Sequence, residues 1–142
     1  MIEFVVWGKC FGKGRPRFRK VGKFVQTYTD KETVNYETLV KLSFINSGCE
    51  PYLNDEPLEC RLIIYQEIPT STSNKRKRMM ADGKILPTKK PDVDNVVKSI
   101  FDGLNKVAFK DDTQIVELHC SKRYSYTPRV EVTFKEFKVE ND

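Results

Sequence analysis

Five aspartates lie close together in the segment KPDVDNVVKSIFDGLNKVAFKDDTQI, which begins at Lys90. The whole chain carries a formal net charge of +5 at pH 7, so a local concentration of acids is unexpected. Carboxylate oxygens are the ligands that Mg²⁺ prefers, and bound Mg²⁺ can activate water and stabilise charge that develops on a phosphodiester. The segment therefore predicts a divalent-metal site built from some of its acids, which are Asp92, Asp94, Asp102, Asp111 and Asp112.

The first part of this segment has the pattern of an amphipathic helix. Apolar residues recur at helical spacing from Val93 to Leu104, and Asp92 can serve as the N-cap in front of them. Asp94, Lys98 and Asp102 follow one another at i, i+4 and i+8, so they share one helix face, away from the apolar stripe. We expect the later pair of aspartates to begin a strand that folds back beside this helix.

Lys98 stands among the acids, where it could hold a scissile phosphate or stabilise the transition state of its hydrolysis. A structural interpretation is also open. In that interpretation Asp92 is only a cap, Asp94 and Lys98 form a surface pair worth a few tenths of a kcal/mol, and Asp111 belongs to a turn. This structural interpretation does not explain why so many acids lie close together.

The positive charge is concentrated in two segments. Residues 8–23 hold seven basic side chains and no acid, and residues 75–90 hold seven with one acid, so the remaining residues are net acidic. Lysine and arginine that neutralise phosphates provide most of the sequence-independent affinity for nucleic acid. A solvated basic face is the alternative. The predicted DNA contacts are Lys13, Arg15, Arg17, Arg19, Lys75, Arg76, Lys77, Arg78, Lys89 and Lys90.

Length and composition indicate one globular domain spanning residues 1–142, with 39% apolar and 32% charged residues. No apolar run reaches the roughly 18 residues of a membrane helix, and the first residues do not resemble a signal peptide. We therefore expect a cytoplasmic protein without a membrane contact. The four cysteines are scattered and form no CxxC pair, so neither a zinc site nor disulfides are indicated.

The pattern of elements predicts an α+β fold with a mixed sheet and packed helices. We expect a first strand over 2–7, a loop or loose hairpin over 8–23, and a helix from a capping box at Thr29 to Gly48. Its predicted apolar face contains Val34, Leu39, Leu42 and Ile45. A second strand, a polar insert with a short helix after Ser73 or Asn74, and a C-terminal antiparallel hairpin turning near Pro128 complete the prediction.

The motifs KPDVDNVVKSIFDGLN and KDDTQI resemble the RusA family of Holliday junction resolvases, and GKGRPRF, TKKPDVDN and YSYTPRVEV resemble its branch in Gram-positive bacteria and their phages. The resemblance spans nearly the whole chain. It implies a metal-dependent endodeoxyribonuclease of DNA recombination and repair that cuts four-way junctions by paired symmetric nicks, as a homodimer in a bacterial or phage-infected cell. It implies Mg²⁺, with Mn²⁺ as a substitute, and no small-molecule cofactor.

The resemblance also assigns residues. It places metal binding on Asp92, Asp94 and Asp112, and the essential lysine on Lys98. Asp102 and Asp111 match family positions and are expected to support the metal ligands or the local structure. The alternatives are a non-catalytic phage protein that binds branched DNA, a more general flap or fork nuclease, and a basic RNA-binding domain, which no aromatic RNA-binding motif supports.

Overall fold

The computed structural model describes residues 1–14, 17–28 and 31–140, which form six strands and three α-helices. The protein is a single small α+β domain with a mixed sheet, which confirms the predicted fold class. In chain order the elements are β1 (Ile2–Trp7), β2 (Arg17–Val21), β3 (Phe24–Tyr28), α1 (Lys31–Ser47), β4 (Leu58–Glu67), α2 (Asn74–Ala81), α3 (Val93–Leu104), β5 (Ile115–Ser125) and β6 (Arg129–Glu136).

The main sheet has the strand order β1-β6-β4-β5. β6 pairs antiparallel with both β1 and β4, whereas β4 and β5 run parallel. The predicted hairpin between the last two strands is therefore wrong, because β4 lies between them. β2 and β3 form a separate two-stranded sheet, so the predicted loose hairpin extends to Tyr28.

One face of the main sheet forms the core. Alternate residues of β1, β4 and β6 are buried, as expected for strands that are covered on one side only. Phe4 packs edge-on against Phe44 of α1, and Phe134 contacts Phe101 of α3. The two helices thus cover the same face of the sheet.

α1 packs through a different face from the predicted one. Val34, Leu39, Leu42 and Ile45 are exposed, whereas Thr33, Tyr36, Val40 and Phe44 are buried. The helix carries apolar residues on two opposite sides, so periodicity alone could not identify the side that packs. Its end follows the prediction, since Gly48 adopts a positive φ of 72° directly after the last turn. Thr29 lies outside the described residues.

α3 packs closely against α1, and the contact depends on Gly103. A Cβ atom at this position would lie 2.9 Å from the backbone oxygen of Glu37 and 2.9 Å from the Cβ of Val40. Val96, Val97, Ile100 and Leu104 are buried, as the apolar stripe predicts. The opposite, acidic face of α3 is left facing outward.

The polar insert between β4 and α3 is folded. Ser73 caps α2 by accepting a hydrogen bond from the backbone N–H of Arg76, and Gly83 follows the helix with a positive φ of 77°. α2 packs against β5 and buries Met80. Among the described residues, no helix has the length and apolar character needed to cross a membrane.

Candidate active site

The acidic face of α3 borders a cavity of ≈450 Å³. The charged side chains in its wall are Asp94, Lys98, Asp102 and Asp112, and the apolar ones are Val93, Val97, Phe101 and Leu118. The three α3 residues predicted to share a face therefore line one cavity, and one of the two later aspartates joins them. Three acids and one lysine give this cavity an excess of negative charge.

The loop that brings Asp112 to α3 is held by Gln114. The side-chain oxygen of Gln114 accepts hydrogen bonds from the backbone N–H groups of Lys110 and Asp111, at 2.9 and 3.1 Å. Its amide nitrogen donates to the backbone oxygens of Asn54 and Glu56, at 2.8 and 3.1 Å. This single side chain thus fixes the short 3-10 turn that starts at Asp112, which explains the glutamine of the DDTQ motif.

Asp111 and Asp112 have different electrostatic surroundings. Partial burial, the hydrogen bond to Asp111 and the charges of Asp111 and Asp102 raise the pKa of Asp112. The pKa of Asp111 is lowered, mainly because its carboxylate accepts a hydrogen bond from the backbone N–H of Thr113. Burial and neighbouring negative charge therefore both disfavour the ionised form of Asp112, and a bound cation would favour it.

Lys13 connects the first basic segment to this site. Its ammonium group donates to a carboxylate oxygen of Asp102 at 2.6 Å and to one of Glu37 at 2.9 Å. Burial alone would lower the pKa of Lys13, but the two hydrogen-bonded carboxylates outweigh it and raise the pKa. Lys13 thus bridges α1 and α3 from a partly buried position, and its predicted contact with DNA stays a prediction.

Residues 11–13 are docked on α3 by backbone contacts as well. The N–H of Lys13 donates to the backbone oxygen of Asn95 at 3.0 Å, and the hydroxyl of Ser99 donates to that of Phe11 at 2.7 Å. A Cβ atom at Gly12 would lie 2.8 Å from the Cβ of Pro91. The segment between β1 and β2 is therefore fitted closely to the start of the helix.

Asp92 occupies the predicted N-cap position of α3, but its side chain makes no capping hydrogen bond. It lines a neighbouring cavity of ≈460 Å³ with Gly12, Lys13, Pro91 and Asn95, and is not part of the wall shared by Asp94 and Asp112. A carboxylate is favoured here by the positive end of the helix dipole. Its predicted role as a metal ligand stays a prediction.

The donor set of the cavity is chemically suited to Mg²⁺. Asp94, Asp102 and Asp112 provide carboxylate oxygens, and the charge of Asp102 contributes, after burial and Asp111, to the raised pKa of Asp112. Within residues 1–14, 17–28 and 31–140, no three acidic, histidine or cysteine side chains stand close enough to surround a metal ion by themselves. Mg²⁺ is usually held by one or two carboxylates, with water and phosphate filling the other positions. The residues present fit that mode.

Apart from Lys13, the predicted DNA contacts that the structure describes are divided among three places. Arg17 and Arg19 belong to β2, and Arg15 lies outside the described residues. Four basic residues form one run on α2, and Lys89 and Lys90 precede the start of α3. The loop at Lys89 is tied to the sheet, because Lys122 donates to the Lys89 backbone oxygen at 2.8 Å.

Comparison with known proteins shows the family of the chain. Residues 8–135 match the family model described as Endodeoxyribonuclease RusA. The chain belongs to the RusA endodeoxyribonuclease family. RusA-family membership implies an endonuclease that acts on Holliday junctions. An uncharacterized protein of Bacillus subtilis (strain 168), YqaN, is 36% identical over 137 residues, which cover 95% of this chain and 96% of the relative.

Some residues that shape the site were not found from sequence. Glu37 shares Lys13 with Asp102, yet it lies 24 residues from Lys13 on a helix with no local motif. Ser99 is fully buried on α3 and looks from sequence like an ordinary polar position. Gln114 was part of a recognised motif, so its spacing from Asp111 could have indicated a capping box.

Proposed function

We propose that this protein is a Mg²⁺-dependent, structure-selective endodeoxyribonuclease that resolves four-way junctions by paired symmetric nicks. The observation that supports this most strongly is the convergence of Asp94, Asp102, Asp112 and Lys98 on one cavity. The family relationship adds the substrate class, since RusA is an endodeoxyribonuclease. Mn²⁺ is expected to substitute for Mg²⁺.

Asp94 and Asp112 are the proposed ligands that share the cavity, and Asp92 is the proposed ligand at its neighbouring edge. Bound there, Mg²⁺ would supply a water of lowered pKa and compensate the charge that develops on the attacked phosphodiester. Asp102 has one carboxylate oxygen bound by Lys13 at 2.6 Å. We assign it to holding the shape and charge of the cavity.

Lys98 is the proposed contact to the scissile phosphate. It lines the cavity one helical turn from both Asp94 and Asp102, and no other basic side chain contributes to the described wall. A cation at this position stabilises negative charge that increases in the transition state. Phe101, Val97 and Leu118 give the same wall an apolar part.

The basic residues of β2, α2 and the loop before α3 are the proposed contacts to the phosphate backbone of the junction arms. We also propose that the active unit is a homodimer. A four-way junction has approximate two-fold symmetry, and an isologous dimer would present two identical active sites to opposite strands.

The experiment is cleavage of a 5′-labelled synthetic four-way junction, in Mg²⁺ and in EDTA, beside a matched linear duplex, a flap and a replication fork. We expect paired nicks at symmetric positions on the junction, none on the linear duplex, and none in EDTA. Equal cutting of flap and fork would replace the proposal with a general branched-DNA nuclease. Tight binding without nicks in Mg²⁺ or Mn²⁺ would indicate a non-catalytic binding protein.

A further inference from the structure

The two-stranded sheet of β2 and β3, residues Arg17–Tyr28, is here called the basic ribbon. Its strands pair with each other and, among the described residues, not with the main sheet. Every residue from Phe18 to Gln26 is exposed, including Phe18 at 70% and Phe24 at 79%. A hairpin of two strands is marginally stable in water by itself. Exposed phenylalanines on such a hairpin indicate a surface that becomes buried when the protein binds its partner.

Both faces of the basic ribbon carry aromatic and basic residues. Phe18 is opposite Thr27 and Phe24 is opposite Val21, so strand alternation places the two phenylalanines on opposite faces. By the same alternation, Lys20 shares the face of Phe18, and Arg19 shares the face of Phe24. Each face therefore combines at least one aromatic residue with at least one cation. An element with two such faces is better suited to insertion between two contacting surfaces than to binding on one flat surface.

Charge identifies the partner. Residues 17–28 contain four basic residues and no acid. Two copies of this ribbon would repel each other, whereas a polyanion would be attracted. DNA combines negative phosphates with base faces on which aromatic rings can stack, and the major groove of duplex DNA can admit a two-stranded ribbon.

The length of the connecting chain limits the distance between the cavity and the start of the basic ribbon. Lys13 is held by Asp102, which lines the cavity, and Arg17 follows four residues later. Four residues span at most about 14 Å, so the ribbon starts within that distance of the Lys13 backbone. Five-residue strands extend it by about 17 Å. It can therefore contact DNA within a few base pairs of the phosphate that is cut.

We infer that the basic ribbon inserts at the branch point of the junction, where Phe18 and Phe24 contact unstacked bases on its two faces. This inference rests on the proposed function. It adds that the protein opens the branch point by an aromatic wedge next to the active site. Aromatic wedges that separate base steps act in the same way in other DNA-binding proteins.

The test uses the full chain and a synthetic four-way junction with 2-aminopurine at the branch point, in EDTA so that no strand is cut. Wild-type protein should increase the fluorescence, because unstacking relieves the quenching of 2-aminopurine. The double variant Phe18→Ser/Phe24→Ser should bind the junction at least about tenfold more weakly and give no increase. Phe18→Trp/Phe24→Trp, which keeps two stacking rings, should retain both effects.

Leu53→Ser is the matched control, since Leu53 is an apolar side chain that is 73% exposed outside the basic ribbon. It should bind and unstack like wild type, and all variants should keep the wild-type melting temperature. If wild type neither cuts nor prefers the junction, the proposed function fails. If wild type cuts and the double serine variant binds, unstacks and cuts equally well, only this inference fails. Loss of dimerisation in that variant, seen by sedimentation, would instead assign the ribbon to a self-contact and overturn the inference.

Discussion

The acidic cavity and the basic ribbon are built in opposite ways. The cavity residues sit on a helix packed against α1, beside a turn clamped by Gln114, and one of them is held by Lys13. The ribbon residues from Phe18 to Gln26 are exposed on both faces. Groups that perform chemistry need fixed geometry, and groups that bind a deformable polyanion need reach and charge. The difference indicates that cleavage and binding can be separated by substitution.

The largest expected effect comes from the cavity itself. Asp112→Asn should reduce single-turnover cleavage at least about 100-fold, since it removes a proposed metal ligand, while junction binding in EDTA stays the same or becomes tighter. Asp82→Asn, an exposed acid at the end of α2, is the control and should cut normally. Cleavage by the Asp112 variant within a few fold of wild type would remove this residue from the active site.

The same variant has a stability consequence. The pKa of Asp112 is raised in the folded protein, so its ionised form is disfavoured there and costs stability once the pH exceeds the ordinary value of 3.8. Asp112→Asn in EDTA should therefore raise the free energy of unfolding at pH 7 by a few tenths of a kcal/mol. The gain should vanish near pH 3. Urea denaturation at both pH values measures it, and a loss of stability at pH 7 would contradict the raised pKa of Asp112.

Substitution of Lys13 tests whether this basic residue belongs to the acidic cavity or to the DNA-binding surface. Lys13→Ala leaves Asp102 and Glu37 without their shared cation, so cleavage should fall about 10-fold and half-maximal activity should need a different Mg²⁺ concentration. The free energy of unfolding should fall by about 1–3 kcal/mol, because two partly buried carboxylates lose their partner. Lys13→Arg should restore part of each. The salt dependence of junction binding distinguishes the two roles: an unchanged slope would assign Lys13 to the cavity alone, and a shallower slope would confirm its predicted contact with DNA.

Lys20 and Lys23 are basic residues of the ribbon, and their substitution is compared with that of Lys13. Lys20→Gln/Lys23→Gln should weaken junction binding, and cleavage at low protein concentration should fall about 5-fold and recover at saturation. The slope of log affinity against log salt should become shallower by about 0.9 for each phosphate that is no longer neutralised. Fluorescence anisotropy at several salt concentrations measures the slope. An unchanged slope would mean that the ribbon cations do not contact phosphate.

The smallest effect on cleavage is expected at the back of α3. Gly103→Ala places a methyl group 2.9 Å from the Glu37 backbone oxygen, so α1 and α3 must separate slightly. We expect a loss of about 1–3 kcal/mol in unfolding free energy and about a 2-fold slower cleavage. Gly14→Ala is the control, because a Cβ atom there would meet no atom within 4 Å. Equal stability of both variants would show that the helix contact is not tight.

Local sequence patterns predicted α3 and its acidic face well. The apolar stripe of α3 is strong and one-sided, so it fixed both the helix and the direction of Asp94, Lys98 and Asp102. α1 has apolar residues on two sides, and its buried face was assigned wrongly for that reason. Helix periodicity identifies the packed side only when the apolar residues form a single stripe.

Features that depend on distant pairing were not predictable. Nothing in the last two strands indicates that β4 lies between them, because strand order is decided by the whole sheet. The bridge from Lys13 to Glu37 and Asp102 joins residues 24 and 89 positions apart, which no spacing rule covers. The second strand of the basic ribbon was missed because its exposed residues show no buried alternation.

The most direct test measures binding in EDTA and single-turnover cleavage in Mg²⁺ on one four-way junction, for Asp94→Asn and for Phe18→Ser/Phe24→Ser side by side. We predict that Asp94→Asn binds as well as wild type or better and does not cut. The ribbon variant should bind at least about tenfold more weakly and regain most of its cutting at saturating protein. Cutting by Asp94→Asn, or a joint loss of binding and cleavage in both variants, would contradict the separation of cutting in the cavity from binding by the ribbon.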